Sequence, residues 1–130
     1  MAAYILAIDD GHFIRRMITL ILETAGYRIE TAEDGSAGLK LIEQEQPDLV
    51  ITDIIMPGIS GIDLAKQLAS DKRTQTIPIL ILSAIDSGQD AALQSQLDAM
   101  GFYQLEKPFN PQQLLEAVQS ILADHQVMKE

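Results

Sequence analysis

Three short apolar runs constrain this chain more than any other feature. Ile5-Leu6-Ala7-Ile8 ends at Asp9 and Asp10, Leu49-Val50-Ile51-Thr52 ends at Asp53, and Ile77 to Leu82 ends at Ser83. Runs of this length without polar alternation read as strands buried on both faces, the pattern of a parallel sheet covered by helices. The segments between them have helical spacing. His12 to Ala25 places Met17, Ile18, Ile21, Leu22 and Ala25 on one face, with Gly26 as its stop. Ser36 to Glu45 offers Ala37, Leu41 and Ile42. Gly61 to Ala69 follows Ser60 as N-cap, and Gln89 to Met100 spaces Leu93, Leu97 and Met100 for one face. Pro111 to Asp124 follows Asn110 as N-cap and offers Leu114, Leu115, Val118, Ile121 and Leu122.

Two further strands complete the alternation, Tyr27 to Ala32 and Phe102 to Glu106. Both carry polar residues, so both belong at sheet edges, while Ala3 to Ile8, Asp48 to Asp53 and Pro78 to Ser83 belong at the centre. The expectation is an α/β fold: a doubly wound, five-stranded parallel sheet of order 2-1-3-4-5 with five helices. In such a sheet ligands bind beyond the carboxyl ends of the strands, where the winding reverses between strands one and three. Asp9, Asp10 and Asp53 fall there. The polar segment Ser70 to Thr76 reads as a surface loop.

Composition removes several classes. A length of 130 residues suits one domain, expected over 1–124 with 125–130 as a C-terminal tail. The absence of cysteine excludes disulfides and thiolate chemistry. No apolar stretch is long enough to span a bilayer and no signal peptide is evident, so a cytoplasmic location without membrane contact is expected. Nine basic against nineteen acidic residues, a net charge of −10, argue against a nucleic-acid partner. For most of the surface the acidity reads as solubility.

The strand ends carry the chemistry. Three adjacent carboxylates repel one another unless a cation holds them ionised. An all-oxygen set suits Mg²⁺, with Mn²⁺ as an alternative, and an Asp carboxylate can accept a phosphoryl group. Lys107, in Lys107-Pro108-Phe109, offers a compact positive charge and Ser83 a hydroxyl. Pro108 is a cis-peptide candidate. Taken singly, Asp9 or Asp10 reads as a helix cap, Asp53 and Ser83 as turn residues, Lys107 as a surface charge, and His12 as a surface or capping histidine. Their joint placement at separate strand ends gives the functional reading its weight.

These residues resemble the receiver domain of two-component response regulators. The resemblance rests on Asp9-Asp10, on Asp53-Ile54-Ile55-Met56-Pro57-Gly58-Ile59-Ser60-Gly61, on Ser83-Ala84 and on Lys107-Pro108-Phe109. It implies a flavodoxin-like receiver fold with Asp53 as phosphoacceptor. Asp10, Asp53 and the Ile55 backbone carbonyl would ligate Mg²⁺, with Asp9 acting mostly through a metal-bound water. Ser83 and Lys107 would bind the phosphoryl oxygens, beside a small residue at Ala84. The donor would be a sensor histidine kinase or a histidine phosphotransfer protein. An unidentified output protein would be contacted through the face of the fourth helix, fifth strand and fifth helix, by a monomer or a weak phosphorylation-dependent dimer.

The chain departs from the family pattern where a Tyr or Phe usually lies three positions before the lysine. That position is Gln104, and Tyr103, one residue earlier, should face the other way along a strand. Ile55 and Ile85 stand where related proteins often carry polar groups that orient a hydrolytic water, so slow loss of the phosphoryl group is expected. Two other readings compete with a phosphoacceptor. A Mg²⁺-dependent phosphatase of the haloacid dehalogenase type wants a second Asp at position 55, which is Ile55. A phosphorylation-independent interaction domain would have lost an acidic residue or Lys107, and neither is lost. No enzymatic turnover is expected beyond self-catalysed acceptance and slow autodephosphorylation.

Overall fold

The computed structural model describes residues 2–83, 99 and 102–129. In chain order these residues form β1 Tyr4–Ile8, α1 His12–Thr24, β2 Arg28–Ala32, α2 Gly35–Gln44, β3 Leu49–Asp53, α3 Gly61–Ser70, β4 Ile79–Ser83, β5 Tyr103–Glu106 and α4 Pro111–Lys129. The helix expected over Gln89 to Met100 lies, apart from Ala99, outside the described residues. All five strands form one parallel sheet of order β2-β1-β3-β4-β5. The polar strands β2 and β5 take the edges, and the apolar β1, β3 and β4 lie between them. Every residue of β1 and β4 is buried, which is what helices on both faces require.

Strand alternation divides the core into two layers. Leu6, Ile8, Val50, Ile79 and Ile81 pack toward Ile42 of α2 and Leu64 and Leu68 of α3. Ile5, Ala7, Ile51, Leu80 and Leu82 pack toward Ile18 and Leu22 of α1 and Leu114 and Val118 of α4. Full burial of one such aliphatic side chain contributes about 1.5–3 kcal/mol, so the two layers dominate the stabilisation. α2 comes close to β1 because Gly38 is small: a Cβ there would collide with the Ile8 side chain.

Local signals set most element ends. Gly26 adopts φ +98 and closes α1, its N–H donating to the Glu23 carbonyl and that of Tyr27 to the Leu22 carbonyl. Ser60 caps α3, accepting from the Asp63 N–H at 3.1 Å. At α4 the Asn110 side chain accepts from the Gln113 N–H at 2.8 Å, and Gln113 accepts from the Asn110 N–H at 2.9 Å, a reciprocal capping box. Asp34, which sequence reading passed over, caps α2 through the Ala37 N–H at 2.8 Å.

Three local expectations need correction. Ala25 is exposed rather than part of the buried face, because α1 has already ended at Thr24. α4 continues to Lys129 instead of stopping at Asp124, since no Gly or Pro follows to break it. The polar turn after α3 is not wholly at the surface. Thr74 is buried, and its hydroxyl donates to the Leu68 carbonyl at 2.6 Å, a helix-end acceptor that the Asp71 N–H reaches only at 3.4 Å.

Candidate functional site

The parallel register pairs Ile8 with Thr52, so Asp9 and Asp53 leave the sheet side by side. Asp9 is 2% exposed. Its Oδ1 accepts from the Gly11 N–H at 2.8 Å, whereas Oδ2 has no hydrogen-bond partner among the described residues. Asp53 Oδ1 accepts from the Ile54 N–H at 2.8 Å. One carboxylate oxygen from each of Asp9, Asp10 and Asp53 lies within 4.8 Å of the others. Lys107 reaches into the same group, its Nζ 3.2 Å from Asp53 Oδ2 and 3.6 Å from Asp9 Oδ2.

Three carboxylates around one ammonium leave a local excess of negative charge. Burial pushes the Asp53 carboxyl above its usual range. Attraction to Lys107 draws it back down, and repulsion from Asp9 raises it further. The donor set is oxygen only, it is partly buried, and one of its buried oxygens lacks a donor. These properties fit a hard divalent cation such as Mg²⁺, which takes carboxylates while keeping waters.

Ser83 and Lys107 meet at the neighbouring strand ends. Ser83 pairs with Glu106 in the β4–β5 register, and the Lys107 N–H donates to the Ser83 carbonyl at 2.7 Å. The Lys107–Pro108 peptide is cis. Ser83 is 1% exposed, and its Oγ has no hydrogen-bond partner among the described residues. Ala84 and Ile85 lie outside the described residues. The Ile55 side chain is 73% exposed. Gln104 pairs with Ile81 and Tyr103 with Leu80, so the two point to opposite sheet faces. The Tyr103 hydroxyl lies 3.4 Å from His125 Nε2 of α4, and the rings meet edge to face.

Two residues to which sequence reading gave no role in the site hold this arrangement. Gly61 begins α3 directly against the end of β3, its N–H donating to the Ile54 carbonyl at 2.6 Å. A Cβ at Gly61 would collide with the Asp53 carbonyl oxygen and lie 2.8 Å from the Asp53 carbonyl carbon. Arg15 Nη1 donates to the Asp9 carbonyl at 2.6 Å, tying α1 to the loop that carries Asp9 and Asp10. Neither contact has a local pattern that would announce it. Gly61 closes the Asp53 to Gly61 segment that carries the resemblance, yet its only reading there is as the first residue of a helix capped by Ser60.

A family model described as the response regulator receiver domain matches residues 5–119. Protein PilH of Pseudomonas aeruginosa is 35% identical over 121 residues, which cover 93% of this chain and 98% of that protein. The alkaline phosphatase synthesis transcriptional regulatory protein PhoP of Bacillus subtilis is 38% identical over 118 residues, covering 91% of this chain and 48% of PhoP. The chain thus matches one relative along nearly its whole length and spans about half of another. Among solved structures, the chemotaxis response regulator CheY4 of Vibrio cholerae superposes with a TM-score of 0.83 at 34% identity, covering 93% of this chain and 99% of that one. A family match over most of the chain, together with the strand order and the residues at the strand ends, establishes that this chain belongs to the response regulator receiver domains.

Proposed function

We propose that Asp53 accepts a phosphoryl group in a Mg²⁺-dependent reaction. The observation that carries this reading is Lys107 Nζ at 3.2 Å from Asp53 Oδ2, with the carboxylates of Asp9 and Asp10 alongside. Asp10, Asp53 and the Ile55 carbonyl would hold the cation, with Asp9 acting through water. The cation, Mg²⁺ or Mn²⁺, supplies positive charge that offsets the negative charge of the phosphoryl oxygens. An Asp53 carboxylate oxygen attacks phosphorus of a phosphohistidine donor; the new O–P bond replaces the N–P bond, and the imidazole leaves. Lys107 neutralises one phosphoryl oxygen. The buried Ser83 hydroxyl, without a partner among the described residues, is poised to donate to another.

The donor is a sensor histidine kinase or a histidine phosphotransfer protein, and the cytoplasm is the compartment of the reaction. Among the described residues no helix is long and apolar enough to cross a membrane. Residues 1–124 make up the phosphoacceptor unit, with 125–130 as its tail. The chain acts by changed protein contacts rather than by turnover. Phosphorylation adds about −1.5 to −2 charge and three acceptor oxygens. Drawing Ser83 and Lys107 toward them biases the β4 and β5 ends, and with them the face that includes β5 and α4. Moving a two-state equilibrium from 1:99 to 99:1 needs about 5.5 kcal/mol, within reach of a few charge-assisted hydrogen bonds.

Incubation with acetyl phosphate and Mg²⁺ followed by intact mass tests the assignment. A phosphoryl adduct in wild type that is lost in Asp53→Ala is the expected result. An adduct that persists in Asp53→Ala would place the acceptor elsewhere.

A further inference from the structure

A second, positively charged site lies outside the acidic crevice. A cleft of about 340 Å³ between α1 and the end of β2 is lined by His12, Arg15, Arg16, Thr19, Leu20 and Thr31, with no carboxylate among them. That is unexpected in a chain of net charge −10. The chain has four arginines. Two are neutralised by carboxylates, Arg28 by Glu45 at 2.7 Å and Arg73 by Asp71 at 3.0 Å. The other two are the pair in this cleft. Arg15 spends one N–H on the Asp9 carbonyl, an uncharged acceptor, and retains its positive charge. Arg16 has no hydrogen bond or ion pair among the described residues.

We propose that this cleft binds a small phosphate monoester. The Arg15 and Arg16 guanidinium groups, both lining the cleft, each offer planar donors of the kind that match phosphate oxygens. His12 adds a ring nitrogen, and Thr19 and Thr31 add hydroxyls, so donors come from both walls. The volume exceeds what one inorganic phosphate occupies and falls at the lower end of small-molecule sites. Leu20, largely exposed, offers an apolar surface for the carbon portion of the ligand. The size and mixed lining therefore favour a compact ester of sugar-phosphate dimensions. The nearest opposing charges are the Asp9 and Asp10 carboxylates, on the loop whose Asp9 carbonyl Arg15 holds; the repulsion of acidic groups farther than about 8 Å away is screened at physiological salt.

Arg15 is the wrong residue for the decisive test, because its loss also releases the Asp9 carbonyl. Arg16 is exposed and supports nothing else among the described residues, so Arg16→Ala keeps the fold. The test is an amide-resolved NMR titration of the ¹⁵N-labelled chain with ribose 5-phosphate and, separately, inorganic phosphate. EDTA keeps the acidic crevice free of metal. The expected result is saturable shifts centred on α1 and Thr31, with a Kd of about 1–10 mM or tighter, and weaker binding of inorganic phosphate. Arg16→Ala should weaken binding at least about tenfold and Thr19→Val by a smaller factor, while Lys107→Ala leaves it unchanged. Shifts that never saturate, equal binding by Arg16→Ala, or loss of binding in Lys107→Ala would each overturn the proposal. The last would assign the anion to the acidic crevice. The outcome is independent of Asp53 phosphorylation, which the acetyl phosphate experiment reads separately.

Discussion

Gly61→Ala is the sharpest single perturbation of the site, because what it disturbs is backbone. The new Cβ would lie 2.8 Å from the Asp53 carbonyl carbon, 3.0 Å from Ile54 Cα, and against the Asp53 carbonyl oxygen. Carbon–carbon contacts are comfortable at about 3.5–4.0 Å, so α3 and the end of β3 must separate by at least about 0.7 Å. That opens the 2.6 Å hydrogen bond from Gly61 to Ile54 toward the limit of useful geometry. Overpacking of this kind costs about 1–3 kcal/mol, and a weakened hydrogen bond adds about 0.5–1.5. Reduced freedom of the unfolded chain returns about 0.4–1 kcal/mol. The net loss is about 2–3 kcal/mol, or roughly 7–11 °C in Tm for a domain of this length.

The functional effect should exceed the stability effect, because the displaced residue is the proposed acceptor. A misplacement of about 1 Å can cost about 100-fold in rate. The control is Gly26→Ala, at φ +98 with open space around it. There the cost is backbone strain alone, about 1–2 kcal/mol, with no reason for a change at Asp53. Thermal melts by circular dichroism and adduct formation from acetyl phosphate, followed by mass well below both melting points, read the two effects separately. If folded Gly61→Ala accepted phosphoryl groups at the wild-type rate, the claim that this contact positions Asp53 would be wrong.

The remaining expectations concern charge and water. Between the ordinary value of 3.8 and its raised folded value, Asp53 holds in the folded chain a proton that the unfolded chain has released. The corresponding stability is full below the ordinary value of 3.8 and is lost as pH rises through the folded value. In EDTA, Asp53→Asn should therefore melt higher than wild type near neutral pH, with the gap closing as pH falls; a gap of equal size at acid pH would contradict this. Mg²⁺ should raise the wild-type Tm with a saturating dependence, worth about 2.7 kcal/mol at 100 times Kd, and Asp10→Asn should abolish most of the rise. Ile55→Asn, at a side chain 73% exposed two residues after Asp53, should shorten the lifetime of the phosphorylated protein about tenfold by admitting and orienting water; an unchanged half-life by intact mass would remove Ile55 as the shield.

The order of the sheet was legible because burial leaves different marks on central and edge strands. β1 and β4 are covered on both faces and carry no polar residue before their ends, whereas Arg28, Glu30 and Gln104 mark the edges. Asp9, Asp10, Asp53 and Lys107 were legible together, since parallel strands must end at one edge and each contributed a residue there. Contacts between elements were not. The approach of Gly61 to Asp53 and the hold of Arg15 on the Asp9 carbonyl depend on how two elements dock, and no periodicity records that. Asp34 was legible in principle as a helix cap, but its run of Gly35, Ser36 and Gly38 obscured the start of α2. The far end of α4 ran on because helix-compatible residues give a stop no signal.

The crevice also explains why the chain places its charges as it does. Among the described residues, Arg28 and Arg73 meet carboxylates that are themselves exposed, where such pairs add little to stability. Lys107 is instead set between two carboxylates that burial has made costly. One ammonium cannot balance three carboxylates, so the metal-free crevice keeps a deficit that a cation and then a phosphoryl group can relieve. Filling that deficit with a second fixed lysine would stabilise the fold and remove the charge imbalance that favours the proposed cation. A site left short of positive charge converts ligand binding into folding free energy, and that differential is what a two-state switch requires.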